Sequence, residues 1–522
     1  MLNNRIALVP LDNRPCCYQF PKRIGGVAGV EVLTPPESLL GKYTAAGNYE
    51  AVKSWLIEQA PAVSGMIICI DQLAYGGLVA SRAPDRTLAE CLETLSVIPE
   101  LKRRFPELKI YVSNVLMRIS ITYKNREYLQ YGRLIFQYSQ LYDRVHRLGE
   151  EVLREELEHL KRKIPSEVLN DYLQARSRNH EVNKQMIEWA AQGLIDFLTI
   201  TQEDASPVGM HIEEQRLLMQ QIYERKVQNK VMIYPGADEG TLTLLSRLLL
   251  ERDNRKVRIY PKYASTSGRL AVADFEDRPI EETVKSHILA AGGVVVEHPA
   301  DADIVLFVNT PLQEKGVRPT EQKAFFHSRH NYWDIVASLK HELSKGAHVA
   351  LADAAITNAS DVELVQYMLQ EDLYFDLLAY AGWNTAGNTI GTAVSQAVAR
   401  WLAKERGAPQ AESEQAHYSF LIERLLDEWA YQAQVRGEVN QWVESQLKLN
   451  PTDLEGYYEQ VNLEVVGRIQ AVFQSYADTW LVEIRRRMPE TAEVSGITLQ
   501  KVYLPWNRTF EVGVQVECEL KC

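Results

Sequence analysis

Short, mostly apolar runs rich in β-branched residues alternate with turn-rich loops and helical patterns, and this alternation constrains the fold more strongly than any other feature. Strands separated by helices pair in parallel, because the helix carries the chain back to the same end of the sheet. The runs do not alternate strictly between polar and apolar residues, so helices are expected to cover both faces. The runs of the first series are 6–9, 66–70, 109–115, 197–201, 231–234 and 257–260. The sequence therefore predicts an α/β fold built from parallel-sheet units.

A second series of strands predicts a separate Rossmann-like or flavodoxin-like unit from about residue 256 to 400. After the helical segment PIEETVKSHILAAGG it contains the runs VVVEHP, IVLFVN, HVALADA and LLAYAGWN. The few residues between Val296 and Ile304 cannot form a full crossover helix, so a short crossover or an edge strand is predicted there. For the first unit, a doubly wound sheet and a barrel give the same periodicity, and both stay open.

The length of 522 residues exceeds that of one ordinary core, and the pattern predicts three regions. Residues 1–255 form an N-terminal α/β domain with a charged helical insertion at about 123–193. Residues 256–402 form the Rossmann-like domain, and residues 403–522 form a helical C-terminal region that ends in a β-hairpin. The tail has no acidic clusters after strands, so we expect it to pack on the α/β body or to hold a homo-oligomer together.

Composition excludes several classes of partner. The net charge of −12, from 69 acidic and 57 basic residues, argues against a nucleic-acid backbone or an anionic membrane. No stretch approaches the ~20 apolar residues that span a bilayer, and the start of the chain passes into a strand without a signal-peptide core. The six cysteines form no CxxC pair, so reduced thiols are expected. These features predict a cytoplasmic protein that acts on a small molecule.

Several motifs of known chemistry are absent from the sequence. It has no GxxxxGK[ST] loop, no GxSxG elbow and no HExxH helix, which excludes P-loop kinases, serine hydrolases of that type and zincins. His327 and His330 lie close together but lack a third ligand nearby, so they are expected to be surface or substrate-contact residues. The sequence therefore predicts neither a metal nor a cofactor.

Polar residues collect where the predicted parallel strands end, which is where ligands bind in open α/β sheets and in βα barrels. Loop polarity or helix capping would explain any one of them, but so many carboxylates, amides and guanidinium groups together favour a ligand site. The residues assigned to this site are Asp12, Asn13, Arg14, Asp71, Tyr75, Arg82, Asn114, Arg118, Asp204, Asp238, Glu239, Trp383, Asn384 and Asn388.

Three stretches stand out from that set. In CIDQLAYGGLVASR, the Gly76-Gly77 pair is expected to let the backbone approach a ligand closely. In TITQEDASPVG, the adjacent Glu203 and Asp204 must point in different directions, and Asp204 is favoured for the site. The stretch AYAGWNTAGNTIG places a helix start after a strand, where a carboxylate, phosphate or hydroxyl-rich ligand would suit the free N–H groups. Its glycine spacing does not match the dinucleotide fingerprint.

Six motifs in a fixed order resemble a bacterial family defined only as domain of unknown function 4127. They are PLDNRP, DQLAYGGLVASR, QEDASPVG, YPGADEG, FEDRP and GWNTAGNTIG, and the resemblance covers about residues 5 to 400. It implies no established reaction, fold or cofactor. The family pattern has two aspartates where this chain has Glu203 and Asp204, which favours Asp204. The positions that match the motifs are Asp12, Arg14, Asp71, Tyr75, Asp204, Asp238, Glu239, Asn384 and Asn388.

The leading hypothesis is a hydrolase that acts on a carbohydrate or glycoconjugate. Glycoside cleavage needs one protonated and one ionised carboxyl group, with polar and aromatic groups holding the sugar. Asp204 and Asp71 are the predicted acid–base pair, and Asp238 with Glu239 is the second choice. Asp204 is expected to be the proton donor, because the turn that follows it fixes its position and apolar neighbours desolvate it. Trp383, Asn384 and Arg14 are expected to position the substrate.

Two alternatives remain open on the sequence. In a metal-assisted hydrolase or lyase, Asp12, Asp71, Asp204 and Asp353 would hold Mg²⁺ or Mn²⁺ through oxygen ligands. In a cytoplasmic sugar-binding or sensor protein, the same polar residues would bind a ligand without turnover. Loss of activity on addition of a chelator would identify the metal-assisted enzyme. Tight sugar binding without hydrolysis would identify the binding or sensor protein.

Overall fold

Two parallel β-sheets organise the chain, which confirms the α/β prediction. The computed structural model describes residues 4–120, 126–311, 332–407, 411–489 and 493–521, so His327 and His330 lie outside the described residues. Unit 1 comprises Met1–Pro21, Glu31–Leu245 and Phe275–Arg278. Unit 2 comprises Lys22–Val30, Ser246–Asp274 and Pro279–Cys522, so it contains both the second sheet and the C-terminal region.

The sheet of unit 1 has six parallel strands in the order β2-β1-β3-β4-β5-β6. The strands are β1 (Arg5–Val9), β2 (Glu31–Leu33), β3 (Gly65–Cys69), β4 (Lys109–Leu116), β5 (Phe197–Gln202) and β6 (Val231–Pro235). Because β2 and β6 form its two edges, this is an open sheet and not a barrel. The sequence analysis missed β2, whose three residues are too few to show a periodicity.

The strand order of unit 1 places a crevice at one end of the sheet. From β1 the chain moves to β2 on one side and then to β3 on the other side. The loops that leave the carboxyl ends of β1 and β3 therefore diverge, and ligands of doubly wound sheets bind at this switch point. Asp12 and Asp71 follow these two strands.

Helices cover the sheet of unit 1, and the central strands are buried along their whole length, as β3 and β5 show. Ile68, Val112 and Ile200 are inaccessible to solvent and belong to one hydrophobic core with Leu56 and Met186. The predicted insertion between β4 and β5 is helical, and its side chains form a smaller core of their own. The helices of this unit are Pro15–Tyr18, Tyr49–Gln59, Leu88–Leu95, Val97–Arg104, Arg126–Leu129, Gly132–His146, Arg154–Lys163, Ser166–Ala191 and Met210–Arg225. The helices Phe20–Val27 and Gly240–Arg252 contain residues of both units.

The second sheet has five parallel strands in the order β11-β10-β9-β7-β8, which is the same winding as in unit 1. Its strands are β7 (Arg258–Tyr263), β8 (Val294–Val295), β9 (Ile304–Asn309), β10 (Val349–Asp353) and β11 (Ala379–Ala381). The two-residue β8 lies at the edge, as the short connection between Val296 and Ile304 predicts. Its helices include Thr266–Arg269, Ile280–Ala290, Tyr332–Ser344, Val362–Gln370 and Ala386–Glu405.

The C-terminal region is helical and closes in an antiparallel hairpin of β12 (Val494–Tyr503) and β13 (Gly513–Leu520). Its helices are Ala411–Arg424, Leu425–Val435, Arg436–Trp442, Val443–Leu447 and Tyr458–Arg487, of which Leu425–Val435 and Val443–Leu447 are π-helical. One hydrophobic core joins this region to the second sheet. Within the described ranges, no helix combines the length and apolar character that crossing a membrane requires.

Candidate active site

Charged side chains at the carboxyl ends of β1, β3, β4, β5 and β6 form one cluster in unit 1, here called the strand-end cluster. Although charged, most of its members are almost inaccessible to solvent. Its members are Asp12, Arg14, Asp71, Arg82, Arg118, Glu203, Asp204 and Asp238. All of them except Glu203 were assigned to a site from the sequence.

Arg14 joins the loops that follow β1 and β6. Its Nε donates to both carboxylate oxygens of Asp12 at 3.0 Å, and its Nη2 donates to Oδ2 of Asp12 at 2.8 Å. The same guanidinium lies 2.6 Å from Oδ1 of Asp238 through Nη2 and 3.1 Å from Oδ2 through Nη1. All three side chains are at most 6% exposed. Two buried carboxylates thus share one buried cation, whose main contacts are within the protein and not directed to a substrate.

Asp71 is a buried carboxyl group in the loop that follows β3. It opens a single turn of π-helix, Asp71–Tyr75, a conformation that is frequent at functional sites. Its Oδ2 accepts a hydrogen bond from the N–H of Val115 at 3.0 Å. Burial, which this hydrogen bond offsets only in part, raises the pKa of Asp71 to about 7, and the negative charge of Glu203 adds to the shift. Asp71 therefore exchanges a proton in the neutral pH range.

Glu203 is the second buried carboxyl group that a ligand could use. Its Oε1 accepts a hydrogen bond from Nη2 of Arg82, and Nη1 of Arg118 lies 3.7 Å away. Its Oε2 is buried and has no hydrogen-bond partner among the residues that the structure describes. Burial raises the pKa of Glu203, and the two arginines oppose that rise. A buried oxygen without a protein donor is available to a substrate hydroxyl or a water.

Asp204 occupies a different environment from Glu203, as their adjacency predicts. Its side chain is 28% exposed, against 8% for Glu203, and its Oδ2 accepts a hydrogen bond from Nη1 of Arg118 at 2.6 Å. Strand β5 runs one residue further than predicted, so that Glu203 follows it directly and the turn at φ 41° falls on Asp204. Asp204 is therefore the less buried of the two carboxyl groups, and Glu203, which the sequence analysis set aside in favour of Asp204, is the more enclosed one.

Several of these carboxyl groups lie close enough together for the negative charge of one to raise the pKa of another. The charge of Glu203 raises the pKa of Asp71, and the charges of Asp204 and Asp238 raise the pKa of Glu203. The cluster holds five carboxyl groups against three guanidinium groups. When all of them are ionised, two negative charges are in excess, so the cluster favours protonation and neutral ligands over anions.

The Gly76-Gly77 pair allows two loops to pack closely, and no ligand is needed to explain it. The carbonyl oxygen of Gly76 accepts a hydrogen bond from the N–H of Gly47 at 2.8 Å, and a Cβ on Gly41 would lie 2.2 Å from that oxygen. The backbone N–H of Asn13 donates to the carbonyl of Gly41 at 3.2 Å, so the same loop also contacts the segment after β1. The structure assigns the glycines to loop packing beside the strand-end cluster.

Gly76→Ala should destabilise the protein by about 2–4 kcal/mol, because a Cβ would lie 2.7 Å from the backbone nitrogen of Gly47 and φ is 87°. Gly149→Ala is the matched control, since Gly149 has φ 72° but open space around its Cβ position. It should cost only about 1 kcal/mol. Urea unfolding measures both values. Equal losses would show that the contact with Gly47 does not limit the substitution.

Tyr75 is held by an arginine that the sequence analysis did not single out. The guanidinium of Arg178 lies 4.4 Å from the centre of the Tyr75 ring. Arg178 also donates to the carbonyl oxygens of Ser81, at 2.5 Å, and Ala83, at 2.8 Å. It thereby fixes the loop from which Arg82 reaches Glu203. No local signal marks Arg178, because it comes from the helix Ser166–Ala191, about a hundred residues further along the chain.

Asn114 and Glu239 make contacts that stabilise the loops themselves. Nδ2 of Asn114 donates to Oδ1 of Asn183, and Oε2 of Glu239 accepts a hydrogen bond from the N–H of Ala237 at 2.9 Å. Their exposures are 1% and 0%. Both predicted site residues lie at strand ends, but the structure places them in the supporting framework.

The predicted residues Trp383, Asn384 and Asn388 belong to unit 2 and lie after β11. The Trp383 ring lies 5.9 Å from that of Phe510, and its Nε1 has no hydrogen-bond partner within the described part of the chain. Asn384 adopts φ 76° and accepts a hydrogen bond from the N–H of Thr385 at 2.9 Å. Asn388 is buried in the first turn of the helix that follows.

A second group of buried acids lies at the carboxyl ends of β9 and β10 in unit 2. Nδ2 of Asn309 donates to Asp353 at 2.8 Å and to Asp361 at 3.3 Å, and the Tyr380 hydroxyl donates to Asp353 at 3.0 Å. The N–H of Asp361 donates to Oδ2 of Asp353 at 2.7 Å. Burial raises the pKa of both carboxyl groups. Protein groups donate to the oxygens of this pair, so the pair belongs to the internal framework of unit 2.

Glu428, from the C-terminal region, contacts the loop that carries Trp383. Its Oε2 accepts a hydrogen bond from the N–H of Gly382 at 2.6 Å, and its Oε1 accepts one from Nη1 of Arg424 at 2.7 Å. The side chains of Glu428 and Arg424 are each 2% exposed. This hydrogen bond attaches the C-terminal region to the loop that follows β11. The sequence gives no sign of it, because Glu428 lies inside a helical pattern.

One group of potential metal ligands lies beside the strand-end cluster. Donor atoms of Cys16, Cys17 and Asp238 lie within 4.8 Å of one another. However, burial raises the pKa of both thiols, whereas metal binding needs thiolates. Nη2 of Arg14 also lies 3.9 Å from the sulfur of Cys17, so a cation already occupies this place. The residues therefore do not fit a metal.

The chain belongs to the family described as "Protein of unknown function (DUF4127)", whose model matches residues 6–515. The match confirms the resemblance carried by the six motifs and extends it into the C-terminal region. A comparison with curated proteins found no match.

Proposed function

We propose that unit 1 is a hydrolase that cleaves a carbohydrate or glycoconjugate, with Asp71 and Glu203 as its acid–base pair. The observation that carries this proposal is the difference between the two carboxyl environments. Asp71 has no ion pair among the described residues and has a pKa near 7, whereas Glu203 is held beside Arg82 and Arg118. Paired carboxyl groups in unlike environments are the arrangement that acid–base hydrolysis requires.

Asp71 is the general acid in this proposal. Its pKa of about 7 leaves a large protonated fraction at neutral pH, and its position is fixed by the hydrogen bond from Val115. An acid with a pKa near the working pH combines a high protonated fraction with effective proton donation. Protonation of the leaving-group oxygen by Asp71 would lower the barrier to bond cleavage.

Glu203 is the ionised partner, acting as nucleophile or as general base. The ion pair with Arg82 orients its Oε1, and the other oxygen has no donor among the described residues. That free oxygen could attack the sugar carbon or take a proton from water. Retaining and inverting reactions use the same residue types and differ in the separation of the two carboxyl groups.

The charge of the strand-end cluster favours a neutral, hydroxyl-rich substrate. An anionic substrate would meet an excess of carboxyl groups, whereas sugar hydroxyls can donate to them. Arg118 and Asp204 are 18% and 28% exposed, which makes them the most accessible members and the natural entry side. Cytoplasmic location remains part of the proposal, in keeping with the buried free thiols of Cys16, Cys17 and Cys69.

Incubation of the full chain with neutral α- and β-linked oligosaccharides and glycoconjugates in H₂¹⁸O tests the proposal. Mass spectrometry should detect one ¹⁸O atom in the released reducing end, and Asp71→Asn should lose this product. Glu224→Gln serves as a control, since Glu224 lies on an exposed helix surface of the same unit. Saturable sugar binding without product would replace the enzyme by a binding protein, and neither binding nor product would reject the carbohydrate.

A further inference from the structure

Unit 2 contains a cavity of about 460 Å³ at the opposite end of its sheet from the acids described above. The wall includes Leu377 and Leu378, which immediately precede β11, together with residues of the helices Ala386–Glu405 and Ala411–Arg424. Because it lies at the amino end of β11, it is separate from the loop that carries Trp383. A cavity of this size accommodates a small ligand.

Arg400 is the most buried of the cationic side chains that line this cavity. Its side chain is only about 5% exposed, and its Nη2 donates to Oε2 of Glu414 at 2.6 Å. The Nε and Nη1 groups are buried and have no hydrogen-bond partner among the described residues. A buried guanidinium that leaves two of its nitrogens without acceptors is costly in free energy, so acceptor oxygens are expected at this place.

Lys404 and His417 line the same cavity beside Arg400. Lys404 lies one helical turn after Arg400 and forms no ion pair with a described residue, and burial together with the charge of Arg400 lowers its pKa. Burial and the two nearby cations also lower the pKa of His417, which keeps its imidazole neutral. Its Nδ1 has no partner among the described residues. Lys404 can therefore donate to an oxyanion, whereas the neutral imidazole of His417, whose N–H is directed to the backbone of Leu377, adds no charge to the cavity.

The side chains that line the cavity carry one more positive than negative charge, which a bound anion would balance. Three cationic side chains line it, Arg400, Lys404 and Arg487, against the carboxylates of Glu414 and Asp376. Arg487 forms ion pairs with Asp376, at 2.6 Å, and with Glu483, which lies outside the cavity. The uncompensated positive charge lies on the side of Arg400 and Lys404, in a chain whose net charge is −12.

We propose that unit 2 binds a small molecule through a phosphate or carboxylate group in this cavity, with Arg400 and Lys404 as the anchoring cations. An oxyanion would supply acceptors to the two unbonded guanidinium nitrogens and would compensate the charge of Lys404. The site depends on side chains of unit 2 alone, so it stands apart from the hydrolase proposed for unit 1.

Calorimetric titration of the full chain with inorganic phosphate, and separately with acetate, tests this site at an ionic strength held constant with sodium chloride. Saturable binding of either anion is expected, and the anion that binds more tightly identifies the recognised group. Lys404→Gln should weaken binding about tenfold. Lys285→Gln should leave binding unchanged, since Lys285 is an exposed lysine outside the cavity in the same unit.

Arg400→Gln should abolish saturable binding, and its circular dichroism spectrum reports whether the variant folds. If it does not fold, Lys404→Gln decides the question alone, because the side chain of Lys404 is only partly buried and forms no ion pair with a described residue. The proposal is rejected if neither anion binds the wild-type chain, or if Lys404→Gln and Lys285→Gln bind with the wild-type affinity.

Discussion

Glu203→Gln should reduce turnover of an identified substrate by about a hundredfold or more while the protein stays folded. The amide keeps the shape of the side chain and can still accept a hydrogen bond from Arg82. It removes the negative charge that a nucleophile or general base needs, and it leaves an amide that cannot take up a proton beside the substrate. Initial rates at saturating and at low substrate concentration measure the loss in kcat and in kcat/KM.

Asp204→Asn is the variant with which Glu203→Gln is compared. Asp204 is more exposed than Glu203 and pairs with Arg118 at the accessible side, so its replacement should change turnover by less than about tenfold. Glu224→Gln controls for the loss of a carboxylate elsewhere on unit 1. A larger loss in Asp204→Asn than in Glu203→Gln would return the catalytic role to Asp204, as the sequence analysis expected.

Arg14→Met should lower the free energy of unfolding by about 3–5 kcal/mol. Methionine fills similar space but leaves the buried carboxylates of Asp12 and Asp238 without the cation that both now share. The cost arises mainly from these two uncompensated charges. Adding Asp238→Asn to the variant should therefore recover part of the loss.

An exposed ion pair of the same unit provides the control for Arg14→Met. Arg5 and Glu31 lie 2.7 Å apart with side chains 53% and 56% exposed, so Arg5→Met should cost less than about 1 kcal/mol. Urea unfolding followed by tryptophan fluorescence measures all three variants. Similar losses in Arg14→Met and Arg5→Met would show that the buried network contributes no more than a surface pair.

The alternation of strands and helices was sufficient to predict both sheets apart from the edge strand β2. Strands buried on both faces produce the apolar runs that mark β3 and β5, and the short connection before Ile304 places β8 at an edge. The sequence could not decide between an open sheet and a barrel for unit 1, since both have the same local periodicity. The π-helical stretch Leu425–Val435 also reads as ordinary helix in the sequence.

The sequence predicted which loops contribute to the site, but it did not predict for every loop which side chain lies in it. The sequence located Asp71 because it follows a buried strand, but it could not separate Glu203 from its neighbour. That distinction depends on one additional residue of β5 and on the positive φ of Asp204. Arg178 and Glu428 were missed because each reaches its partner from a distant part of the sequence, which local patterns do not record.

Carbon-13 NMR titration of the full chain labelled at its aspartate carboxyl carbons tests whether Asp71 is poised as an acid. One resonance, absent from the spectrum of Asp71→Asn, should titrate with a midpoint of about 7. The buried acids Asp353 and Asp361 remain in both spectra and do not confuse the assignment. Since a general acid must be protonated, turnover should then fall as the pH rises above about 7. If the resonance lost in Asp71→Asn instead titrates near the ordinary value of about 4, Asp71 is not a proton donor at neutral pH and the proposed acid–base pair is wrong.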